Sequence, residues 1–104
     1  MIQISKITYH DGKEGSISMS TMVCSSINNA KEVILNEVNE GFEGNWASLS
    51  DAATELSNDL MDCEWDEEKK TFHWGDNGKG ETYIIVDINI SEVNTKFQGE
   101  VYIL

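Results

Sequence analysis

The 104-residue chain has no arginine and no proline, only two cysteines, and no Lys, Arg or His anywhere from Glu37 to Glu68. Each absence removes a class of function. Without Arg there is no bidentate clamp for phosphate or carboxylate substrates, which counts against phosphoryl-transfer chemistry. No apolar run approaches the 18 residues of a membrane span, and the start MIQISKITYH lacks the apolar core of a signal peptide. The expectation is a soluble, cytoplasmic protein that does not engage a membrane. Cys24 and Cys63 are too few and too far apart for a disulfide scaffold, and read as reduced, small core residues. A zinc site joining them to His10 and His73 has no C-x-x-C or H-x-x-H spacing behind it, so neither a metal nor a cofactor is expected.

Motifs for catalysis are missing as well. The chain contains no G-x-x-x-x-G-K-[ST], G-x-S-x-G or H-E-x-x-H, and the glycines at 75, 78 and 80 lie between predicted strands, where they serve hairpins and not a phosphate cradle. The acids between Asp62 and Glu68 lack the invariant Gly and terminal Glu of a calcium-binding loop. No enzyme activity is expected.

What the chain does have is acid. Nineteen Asp and Glu against seven Lys give a formal net charge of −12, which argues against DNA, RNA or an anionic membrane as direct partner. Eleven of the acids fall between Glu37 and Glu68. In that stretch Leu49, Ala52, Ala53, Leu56, Leu60 and Cys63 recur at helical spacing and predict a helix from about Ser48 to Asp62, with Ser48 and Asp51 as its capping pair. On that helix Asp51, Glu55, Asp59 and Asp62 form one acidic ridge. Like charges four apart, and acids near a helix carboxyl end, cost stability. The ridge is therefore expected to serve binding, with Glu64, Asp66, Glu67 and Glu68 as its extension and Trp46 or Trp65 as apolar anchor, although a loop tryptophan such as Trp46 more commonly plugs the end of the core.

The remaining elements follow from periodicity. Ile2, Ile4, Ile7 and Tyr9 mark a first strand, with a parity change that suggests a bulge. Ile17, Met19, Thr21 and Val23 alternate with polar residues in a second. Ile27, Ala30, Ile34 and Val38 make a helical stripe, capped by Ser25 or Ser26 and stopped at Gly41. Cys63 to Trp65 and Thr71 to Trp74 predict a hairpin. The run Glu81 to Ile90, apolar at nearly every central position, predicts a central strand covered on both sides. Phe97 to Leu104 predicts a last strand. The fold class is α+β: one domain over residues 1–104, an antiparallel sheet of five or six strands with two helices on one face, in the order β-β-α-α-β-β-β-β.

These features together point to a small acidic inhibitor covering the basic nucleic-acid-binding surface of a partner enzyme. That is the general physical character of anti-CRISPR, anti-restriction and nuclease-inhibitor proteins. The alternatives are an accessory or assembly protein that pairs through a sheet edge, or a toxin-immunity protein.

Overall fold

The computed structural model describes residues 1–10, 16–59, 61–88 and 102–103. Eight elements run in the expected order: β1 (Ile2–His10), β2 (Ser16–Cys24), α1 (Ile27–Phe42), α2 (Leu49–Asn58), β3 (Asp62–Asp66), β4 (Thr71–Asp76), β5 (Lys79–Asp87) and β6 (Tyr102–Ile103). The strands form one sheet ordered β3-β4-β5-β1-β2-β6. All its pairings are antiparallel except β6, which runs parallel to β2. Both helices pack on one face.

Strand alternation divides the sheet residues cleanly. On the covered face lie Ile2, Ile4, Met22, Cys24, Tyr83, Ile85, Phe72, Trp74, Cys63 and Trp65, matched across the ladders as Ile4 with Met22 and Ile85, and Phe72 with Tyr83 and Trp65. Ala30, Ile34 and Val38 of α1 and Leu49, Ala52, Ala53 and Leu56 of α2 close over them. Phe72 and Ile4 are fully buried at the centre. The register of β1 is continuous from Ile2 to His10 against both neighbours, so there is no bulge. The parity change between Ile4 and Ile7 instead sends Ile4 to the core and Ile7 to the opposite face. Likewise β5 is central but is not covered on both sides: Ile85 is buried while Val86 is exposed.

Both helices end differently from expectation. Ser26 caps α1, accepting a hydrogen bond from the Asn29 amide at 3.0 Å, but the helix passes through Gly41 to Phe42. Phe42 packs edge-on against Trp74 with 5.0 Å between ring centroids, and Glu43 then turns the chain at φ 53°. Ser48 caps α2 as expected, 3.1 Å from the Asp51 amide, but the helix stops at Asn58. Its last turn has no basic residue to balance the dipole, and Asp59 sits at the C-cap. The next residues gain more as an edge strand, where Cys63 and Trp65 pair with Trp74 and Phe72 on the core side. The β4-β5 hairpin turns through Asn77 (φ 51°) and Gly78 (φ 82°), as the Asn-Gly pair demands. The segment predicted as the last strand, from Phe97, lies outside the described residues except for Tyr102 and Ile103.

Candidate functional site

Helix α2 and strand β3 run antiparallel beside one another, and the expected acidic ridge is split between them. Ser50, Thr54 and Ser57 line the side of α2 that faces Cys63, Glu64 and Trp65 of β3. At 100° per residue, Asp51, Glu55 and Asp59 then fall on the opposite flank of the helix, where Glu55 accepts a hydrogen bond from the Trp46 indole. Asp62 is not a member of this ridge, because the helix has already ended. With Glu64 and Asp66 it belongs to a second row, on the sheet face away from the helices. The carboxylates thus fall in two rows on different surfaces, one on the outer flank of α2 and the other on the far face of the sheet, and only the hydroxyls of α2 face β3 directly.

The acids of the β3-β4 turn behave in three ways. Asp66 accepts from the Lys69 amide at 2.9 Å and shapes the turn. Glu68 is exposed. Glu67 folds back toward the helices, bonded to Lys31 at 2.9 Å, Lys70 at 3.1 Å and the Trp65 indole at 2.7 Å. The hydrogen bonds from Lys31, Lys70 and Trp65 hold its carboxyl well below the usual range, at about 2. Glu67 is thereby an internal tie between α1 and β3, and its charge is already neutralised.

Neither tryptophan singled out as an anchor stands free. Trp46 packs against the core, its backbone amide and carbonyl held by the Asn39 side chain at 2.9 and 3.1 Å. Trp65 lies beneath Lys31, whose Nζ is 5.5 Å from the indole centroid. Together with Leu35, Ser48 and Leu49 these groups border a cleft of about 260 Å³, where Lys31 and Glu67 are paired with each other and Glu32 also lines the wall.

No family model, curated protein or solved structure matches this chain. Its chemistry is therefore read from the residues alone.

One constellation escaped the sequence analysis. Lys6 of β1 reaches Glu37 of α1 at 2.9 Å and Glu81 of β5 at 3.1 Å, and Glu81 also accepts from Thr8 at 3.2 Å and the Trp74 indole at 3.1 Å. Burial pulls the Lys6 pKa down, but the hydrogen bonds and charges of Glu37 and Glu81 outweigh it and raise the pKa overall. Burial, with the nearby Glu37 and Glu81 charges, pushes the Tyr83 phenol up strongly. The signal was present in the strands: Lys6 and Glu81 occupy core-facing parity beside Ile4 and Tyr83, where a charge needs a partner. The network joins α1 to two central strands.

The cysteines are free thiols, and burial together with the neighbouring Asp62 charge pushes Cys63 up to about 11, away from nucleophilic use. Among the described residues no group of three or more His, Cys, Asp or Glu side chains is arranged to hold a metal. No described helix is long and apolar enough to cross a membrane.

Proposed function

We propose that this chain is a small acidic binding protein of the cytoplasm that blocks the basic nucleic-acid-binding surface of a partner, as anti-CRISPR, anti-restriction and nuclease-inhibitor proteins do. It acts by occupation and not by catalysis. The observation that supports this reading is the number of carboxylates on α2 and on β3 without a Lys partner among the described residues, Asp51, Glu55 and Asp59 on one and Asp62, Glu64 and Asp66 on the other.

Spacing gives the reading a scale. Acids four apart on α2 repeat every ~6 Å, and acids two apart on β3 every ~6.6 Å. Each row by itself therefore carries roughly one charge per 6 Å of length, against one per ≈ 1.7 Å for duplex phosphates. A single row is too sparse to imitate a duplex, but its complementary potential raises the rate of encounter with a short basic cleft. Pairing through a sheet edge is the alternative: at one edge, β3, the charges of Asp62, Glu64 and Asp66 discourage strand addition, which leaves the other edge, β6, as the place for it.

The test is capture on the immobilised chain from native host lysate at low salt, with a salt-gradient elution and duplex DNA as competitor. A basic nucleic-acid enzyme that elutes early in salt, is displaced by DNA, and is lost on the variant Asp51→Lys/Glu55→Lys/Asp62→Lys/Glu64→Lys is the expected result. A neutral partner that survives high salt and ignores the variant rejects the mimic.

A further inference from the structure

The helices cover one face of the sheet, and the other face has a composition of its own. Its apolar part lies on β2, β1 and β5: Ile17 and Met19 are 79% and 71% exposed, Val86 is 40% exposed, and Ile7 and Ile84 complete the patch at the same parity. Moving toward β3 the residues change to Thr82, then His73 and Thr71, then Asp66, Glu64 and Asp62. The Tyr9 ring lies across Gly80 and Gly75 and stacks near His73, with 6.5 Å between centroids, which fills the end of this face. Lys6 and Lys79 both have the opposite parity, so no Lys among the described strand residues stands here. Among the described strand residues the face therefore runs from apolar to anionic with no Lys between, His73 being the one basic side chain on it.

We propose that the exposed part of this face, which no described helix covers, is a docking surface for a basic, amphipathic protein segment, whose apolar side chains seat on Ile7, Ile17, Met19 and Val86 while its Lys or Arg side chains meet Asp62, Glu64 and Asp66. The inference rests on the reading of the partner as basic, and adds where that partner lies and that it brings apolar groups as well as charge.

Dimensions and charge both fit. From β5 to β3 is two strand spacings, ~10 Å, which is about the width of a helix with its side chains. A helix lying along β1 and β5 thus puts one flank over β4, and its extended Lys or Arg side chains cross the remaining strand spacing to the acid row. A second copy of this chain fits poorly, since it brings another −12 of charge to the same surface. Isolated exposed apolar residues are ordinary on any surface, whereas a contiguous patch rimmed by charge of one sign marks an interaction site.

The test uses the full chain and two probes: a 14-residue helical peptide of Leu and Lys with its leucines on one side, and a lysine-only peptide of equal charge. Binding is measured by calorimetry and mapped by amide chemical shifts. We expect the Leu-Lys peptide to bind at least about tenfold more tightly than the lysine-only one. Its shifts should fall on β1, β2, β5 and β3, and Ile17→Ser/Met19→Ser should remove the excess while leaving lysine-only binding unchanged. Equal binding of the two probes, with shifts confined to the acids of α2 and β3, overturns the docking face but leaves the basic-partner reading standing. Failure of both probes to bind overturns both. The shift map of the unsubstituted protein decides the matter even if the double variant unfolds. Concentration-dependent dimerisation lost in Ile17→Ser/Met19→Ser assigns the face to self-association and overturns the proposal.

Discussion

On the helix-covered face, Lys6, Glu37 and Glu81 meet at 2.9 to 3.1 Å, and each carboxylate shares the same ammonium. On the open face, Asp62, Glu64 and Asp66 stand in a row, and among the described residues the imidazole of His73, 3.6 Å from Asp62, is the one basic group near them. The covered face neutralises charge because leaving it bare under a helix costs several kcal/mol per ion. The open face keeps charge unneutralised because water solvates it, so the same residue type that must be paired on one side is free for a partner on the other. The apolar residues divide likewise: Phe72 and Ile4 are fully enclosed, whereas Ile17 and Met19 add little to the fold.

Substitutions on the two faces sharpen this contrast. Phe72→Ala should have the largest effect, a loss of about 3–5 kcal/mol in urea unfolding, because a fully buried aromatic leaves a cavity. A loss below about 1 kcal/mol would mean that the covered face is not close-packed.

Lys6→Met should come next, at about 3 kcal/mol near neutral pH, the lower end for breaking a buried pair because the network is partly solvated. The sign with pH follows from its raised pKa. The stabilisation is present in full below the ordinary lysine value of 10.5 and is lost as pH climbs through the higher folded value. Unfolding curves of the unsubstituted protein should weaken above that pH, and Lys6→Met should remove this lysine's share of the slope.

Glu67 is a smaller and more local case. Its depressed pKa means that its contribution is present above the ordinary value of 4.5 and fades as pH falls toward about 2. A carboxyl NMR titration should give a midpoint near 2, and Lys31→Ala should move it upward. An unmoved midpoint would remove Lys31 as the main cause. Smallest of all, Ile17→Ser/Met19→Ser should change stability by less than about 0.5 kcal/mol, as expected of exposed sites. A larger loss would show that the open face belongs to the core.

The sequence carried the class of the fold and much of its detail. Periodicity in Ala30, Ile34 and Val38 and in Leu49, Ala53 and Leu56 was sufficient for both helices, since a stripe at 3.6 spacing has one way to be buried. Ser48 and Asn77-Gly78 identified a helix start and a hairpin by local chemistry that needs no distant contact. The candidate site was half legible. Its acids could be counted, but Asp62 was assigned to the wrong element, because Cys63 at helical spacing from Leu56 and Leu60 suits a helix as well as a strand.

What the chain determines alone is therefore local: element type, caps, turns and the total of negative charge. Which acids share a surface is decided by pairing across long sequence distances. The β3-β4 register turns Asp62, Glu64 and Asp66 away from the helices, and the β1-β5 register brings Lys6 to Glu81. A one-residue slip in either would exchange the two faces. Tertiary structure alone settles that alternation, because a strand's parity has no inside or outside until a helix covers one side of the sheet.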